Sequence, residues 1–254
     1  NPRSVYIVYN DTSTAQWITP FTNNDSNGIG HGATDDSSLF SDGSNGDNGN
    51  NGWTPSEVTN GSGRVNGLTT TLSPHDRPDN YELISNIYTA NISNANFTYY
   101  VGRDRTQARY LDGNIAEIML FSDAHSATKR KQIESYLAIK YGFTLSNNTD
   151  NDGNINEVVA GSINEGDYIL ADQTTKVWDS ESTYHNDVAG IGRDDAMVLN
   201  QKQSKSVNSD AIVTIGLSSI SSTNAANGNT FTSNKDFLVW GNNNGSVLEA
   251  NVTE

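Results

Sequence analysis

Cysteine is absent from all 254 residues, so neither disulfides nor thiolate metal sites hold this fold. Long apolar runs are missing too, and nothing approaches the roughly 20 residues that cross a bilayer as a helix. Basic charge is scarce. Fifteen Lys and Arg stand against thirty Asp and Glu, a net charge of −15. A surface of that sign repels DNA and anionic lipid unless a basic patch is concentrated somewhere. The densest basic cluster, Lys129, Arg130 and Lys131, reads as the solvated face of a helix. Nucleic acid and direct membrane insertion are therefore set aside. No signal-peptide pattern precedes the first strand signal, "RSVYIVY", which begins at Arg3. The chain reads as a processed or trimmed piece of a longer protein.

What is present is polar and punctuated. Short apolar bursts are bounded by Gly, Asn, Asp or Pro: "SVYIVYN" (4–10), "YELISNIY" (81–88), "NFTYYVG" (96–102), "NIAEIMLF" (114–121), "DYILAD" (167–172), "AIVTIGL" (211–217) and "DFLVWGN" (236–242). The first is apolar on both faces, as an interior strand is. That spacing predicts a largely antiparallel all-β protein. One segment differs. "HSATKRKQIESYLAIKYG" offers Ser126 as a cap, Ile133, Leu137 and Tyr141 at four-residue spacing with Tyr136 on the same stripe, and Gly142 for a left-handed stop. This predicts an amphipathic helix over 126–141, either outside a sheet or between two sheets. A polar, acidic stretch follows (144–157), and a boundary there divides the chain into domains 1–146 and 147–254.

Two segments are candidates for binding. Asn148, Asp150 and Asp152 alternate, followed by Gly153, Ile155 and Glu157. This is the front half of an EF-hand-type loop, which wraps oxygens around a calcium ion. The acid falls at the tenth position, where an EF-hand places it at the twelfth. The segment reads as a structural calcium clip or as a hydrophilic linker. The stretch 28–67 centres on "SDGSNGDNGNNGW", with Asp42, Asp47 and Trp53. So polar a tract buries too little apolar area to offset its ordering entropy. It is either a mobile loop or one organised by an ion or ligand, with Trp53 as the side chain to stack on a sugar ring. Trp178 and Trp240 lie in strand-like bursts and read as core.

Catalytic patterns are missing. His31, His75, His125 and His185 are scattered without metal-ligand spacing, no Gly-x-Ser-x-Gly elbow occurs, and Glu117 has no same-facing acidic partner at 115 or 119, as a glycosidase strand would have. "GIGRDD" (190–195) lacks the third glycine and the following helix of a dinucleotide cradle. It reads as a turn in which Gly190 and Gly192 take positive φ and Arg193 bridges Asp187 or Asp194. The polar run "NQKQSKS" (200–206) follows it as a polar strand.

"YLDGNIAEIMLFSDAHSATKRKQIESYLAIKYGFTL" (110–145) resembles the last strand and trailing helix of bacterial LamG-like, concanavalin-A-like jelly rolls. "WDSESTYHNDVAGIGRDDAMVLNQKQSKSVNSDAIVTIGL" (178–217) is similar to a companion β-rich domain that follows such jelly rolls in large secreted and surface adhesins of marine and Bacteroidetes-type bacteria. The resemblance implies an all-β fold: a LamG-like β-sandwich, lacking its opening strands and closed by one C-terminal helix, then a second β-rich domain. It further implies an extracellular or cell-surface location and a non-catalytic, adhesive or structural role in a stalk or filament. The partners it implies are other segments or copies of the same surface protein. The other class is a calcium-dependent lectin-like module that binds glycan or peptide through the 23–67 loops. A carbohydrate-active enzyme rests on fold analogy alone.

Overall fold

The computed structural model describes residues 2–12, 20–23, 56–70, 78–91, 98–103, 107–147, 163–164, 166–180 and 183–244. They form a mostly β structure with several antiparallel sheets and one long helix. No closed jelly-roll sandwich is identified among them. Two compact units emerge, one ending at Glu134 and one beginning at Ser135. Each of the seven apolar bursts contains a strand.

In the first unit the elements are β1 (Ser4–Asp11), β2 (Phe21–Asn23), the single turn α1 (Ser56–Thr59), β3 (Ser62–Val65), β4 (Leu68–Thr69), β5 (Glu82–Ile87), β6 (Tyr99–Val101) and β7 (Gly113–Phe121). A five-stranded sheet runs β4-β3-β5-β1-β7, with β1 pairing antiparallel to both neighbours. As its two-faced apolar pattern predicts, β1 is buried on both sides. Val5, Ile7 and Tyr9 join Phe21, Val58, Val65, Ile84 and Tyr88 in one apolar cluster. Each such side chain contributes on the order of 1.5–3 kcal/mol through area removed from water. The opposite face mixes apolar and polar side chains: Ser4 stands opposite Ile87, Tyr6 opposite Ser85 and Val8 opposite Leu83.

The helix, α2 (Ala127–Tyr141), begins and ends as its caps predict. The Lys129 amide donates to Ser126 Oγ at 3.2 Å. Gly142 takes φ +79°, and its amide and that of Phe143 both donate to the Ala138 carbonyl, which satisfies an orphan carbonyl of the last turn. Its basic face is not solvated as the sequence suggested: Arg130 and Lys131 are each 9 % exposed, and Glu134 and Ser135 are buried. Polar groups on the sheet meet Arg130 and Glu134. Ser85 Oγ donates to Glu134 Oε1 at 2.6 Å, Arg130 reaches Ser62 Oγ at 3.2 Å, and Arg130 Nε lies 3.8 Å from Glu134. Buried polar groups are tolerable when paired in this way.

In the second unit β8 (Tyr168–Ile169) and β9 (Lys176–Trp178) form a hairpin. β10 (Asn186–Asp194) is the centre of the order β11-β10-β14, with β11 (Leu199–Gln201) and β14 (Phe237–Asn242), and β12 (Gln203–Lys205) pairs with β13 (Thr214–Gly216). "GIGRDD" is thus mainly the end of a nine-residue strand, not a turn. Gly190 and Gly192 do not take positive φ. They are glycines because β14 crosses close by: a Cβ on Gly190 would press on Val239, and one on Gly192 would collide with the Phe237 ring. Arg193 pairs with Asp195 at 2.6 Å, not with Asp187 or Asp194. Trp240 is not core either. It is 44 % exposed on edge strand β14, beside Leu238 at 58 %.

Candidate functional site

The residues that the sequence nominated for ligands, Asp42, Asp47 and Trp53, lie outside the described residues, as do Asn148, Asp150, Asp152 and Glu157. Among the described residues no group of three or more His, Asp or Glu could hold a metal ion.

Several of the described ionisable groups are tied into structure. Asp167, fully buried, accepts from the Asn164 amide (2.6 Å), the Ser180 amide (3.0 Å) and Ser180 Oγ (3.1 Å), and pairs with Lys176 at 2.8 Å. Burial opposes the charge on Lys176, but Asp167 and Asp179 outweigh it and hold its pKa above the ordinary lysine value. Asp194 accepts from the Ala171 amide at 2.9 Å and caps the turn Asp195–Met197 through the Ala196 amide. Lys235 first, then Thr175 and Thr174, hold the Asp172 carboxyl well below the usual carboxylate range. Trp178 Nε1 donates to His185 Nδ1 at 2.8 Å, and His185 Nε2 lies 2.6 Å from the Leu145 carbonyl. An indole nitrogen only donates, so Nδ1 accepts and Nε2 carries the proton. In the first unit, Tyr6 Oη lies 2.9 Å from His125 Nδ1. Burial, with Glu134, pushes the Tyr6 hydroxyl up in pKa, while burial and Lys129 push His125 down. The tyrosine therefore keeps its proton and donates to a neutral imidazole.

One concave site stands out in the second unit. Where α2 ends, Gly142 meets β12 so closely that a Cβ would collide with the Lys205 carbonyl, and the Val207 amide donates to the Gly142 carbonyl at 3.0 Å. This junction forms a wall of a cleft of about 240 Å³. Lys140 and Tyr141 line it from the helix, Ser204 and Lys205 from β12, and Thr214 from β13. The Lys140 ammonium donates to Tyr136 Oη at 2.9 Å and lies 5.3 Å from the Tyr141 ring centre, a cation–π distance. Gln201, Gln203 and Asn224 complete the lining and are already committed: Gln201 Nε2 donates to the Gln203 carbonyl at 2.8 Å. Gln203 exchanges two hydrogen bonds with the Ser221 backbone, and Asn224 Oδ1 accepts from the Lys202 and Gln203 amides. The cleft is thus lined by Lys140 and Lys205, the hydroxyls of Ser204 and Thr214 and the Tyr141 ring, and no acidic side chain lines it among the described residues.

The sequence reading passed over this site. "NQKQSKS" was visible as a polar run, but its position against Lys140 and Thr214 depends on the left-handed stop at Gly142, which turns the chain onto β12.

A family model described as "Domain of unknown function (DUF8202)" matches residues 129–254. The chain therefore carries a DUF8202 domain that starts within α2 and includes every residue lining the cleft. No curated protein matches the chain, and no solved structure does.

Proposed function

We propose that this chain is a non-catalytic module of a large secreted or cell-surface bacterial protein, with a structural or adhesive role. Its first domain (1–146) would be a LamG-like, concanavalin-A-like β-sandwich and its second (147–254) the companion β-rich domain. The observation that carries the reading is β14. Among the described residues it pairs on one side only, with β10, and it exposes Leu238 and Trp240 on a single face. Open edges with apolar side chains favour pairing with further chain, in copies or neighbouring segments of the same protein. Lack of cysteine and the acid excess suit an extracellular setting.

Sedimentation velocity of the full chain tests this. Self-association that grows with concentration and weakens in Leu238→Lys is expected; a strict monomer at every accessible concentration would contradict it. The second reading, a calcium-dependent lectin-like module, is favoured by the alternation of Asn148, Asp150 and Asp152. For it, EDTA should lower the Tm, and Asp150→Ala with Asp152→Ala should remove that sensitivity. A Tm indifferent to EDTA refutes the calcium.

A further inference from the structure

The pairing of β14 fixes which of its groups face outward. The Arg193 amide donates to the Asp236 carbonyl, which makes these two residues a hydrogen-bonded pair. In an antiparallel ladder such pairs alternate with open ones. Ile191 with Leu238 and Ala189 with Trp240 are therefore bonded, whereas Gly192 with Phe237 and Gly190 with Val239 are open. In open pairs the N–H and C=O turn away from the neighbouring strand. Phe237 and Val239 thus present backbone groups along an edge that no strand among the described residues covers, and Gly241 continues the series. The Phe237 and Val239 side chains close over Gly192 and Gly190, while Leu238 and Trp240 stand 58 and 44 % exposed on the other face. Natural edge strands are guarded by charge or proline. Neither occurs from Phe237 to Leu248, in a chain of net charge −15. Copies of so acidic a chain repel one another, and an acid-free strand is where two of them can touch.

We infer that β14 pairs antiparallel with β14 of a second copy of this chain, about a two-fold axis at Val239, so that one sheet runs on through both copies. This rests on the self-association proposed above and names its partner, its register and its end point. In this register Val239 faces the partner's Val239 and exchanges backbone hydrogen bonds with it. Each Leu238 stands opposite the partner's Trp240 in an open pair, where cross-strand side chains approach most closely. Both exposed apolar side chains are then covered, twice over. Asp236 falls opposite the partner's Asn242, which is neutral. The alternatives are worse. A parallel pairing sets Asp236 beside the partner's Asp236, and like charges directly opposite are destabilising. An axis shifted to Leu238 sets Trp240 against the partner's Asp236, and one shifted to Trp240 leaves Leu238 against the partner's Asn242. A two-fold contact is self-complementary and uses up the edge, so β14 yields a dimer and not an open filament.

The absence of cysteine makes thiol trapping specific to an introduced residue. The full chain carrying Leu238→Cys and the full chain carrying Trp240→Cys, distinguished by a mass tag, are oxidised separately and as an equimolar mixture. The mixed disulfide dimer is expected to exceed both homodimers. Only the mixed thiols lie directly opposite, whereas like positions sit on a diagonal of about 7–8 Å, beyond the reach of a disulfide. Charge exchange is the second measurement. Leu238→Lys and Trp240→Glu should each be monomeric in sedimentation velocity, and mixing them should restore a dimer, because lysine then faces glutamate while the native Leu238 and Trp240 face each other. A parent that associates but gives no excess of mixed disulfide, or no rescue on mixing, overturns the edge pairing and leaves self-association standing. Oligomers larger than a dimer that Leu238→Lys disperses overturn the closed two-fold contact. A parent that stays monomeric at every accessible concentration overturns both this pairing and the reading beneath it.

Discussion

β1 and β10 are each paired with a strand on both sides, and each is buried along most of its length, yet their sequences share little. "SVYIVYND" fills both faces with large apolar side chains; "NDVAGIGRD" brackets two glycines with acids. In the first unit stability comes from apolar area packed on β1. In the second, β10 lets β14 approach its backbone closely at Gly190 and Gly192, and polar side chains fasten the surroundings. Asp187 accepts from Asn208 and Asn242 (both 2.7 Å), and the Val188 amide donates to Thr144 Oγ1. Asn227 reaches the Leu217 and Ser219 carbonyls at 3.3 and 2.8 Å. The second unit thus satisfies its loop backbone with Asn and other polar side chains around buried apolar residues such as Leu137, Ile139, Phe143, Tyr168 and Val188.

The two strands should fail in opposite ways. Ile7→Ala, which empties a position 2 % exposed at the heart of the apolar cluster, is expected to cost about 2–5 kcal/mol of first-unit stability; a cost near zero in denaturant unfolding would break the contrast. Gly192→Ala adds one methyl where Phe237 already lies. It is expected to cost about 1–3 kcal/mol by overpacking, and combining it with Phe237→Leu should recover part of that loss. A neutral or stabilising Gly192→Ala would mean that the glycine has no packing role.

Much of the strand content was legible because period-two apolar bursts between turn residues report burial directly: all seven hold strands, and β1 is interior as its two-faced pattern predicts. Ser126 and Gly142 marked the ends of α2 through chemistry that acts within one turn. β10 was not legible. Glycines in a strand signal a close neighbour, and that neighbour, β14, lies some 45 residues on (Gly192 faces Phe237). The burial of Arg130 and Glu134 escaped for a similar reason, since their partners Ser62 and Ser85 lie on distant strands. The cleft joins Lys140 to Lys205 and Thr214, a juxtaposition that no local pattern encodes. Trp53, Asp42, Asp47 and the 148–157 acids fall outside the described residues, so neither reading of them is decided by the fold.

Amide hydrogen exchange at Asn164 and Ser180 tests most directly whether side-chain oxygens hold the second unit. Both amides lie outside strands and donate to Asp167. They should exchange slowly in the parent, far slower than the open-loop amide of Gly228, and quickly in Asp167→Ala. Exchange at the open-loop rate in the parent, or slow exchange that survives loss of the carboxylate, would contradict the account.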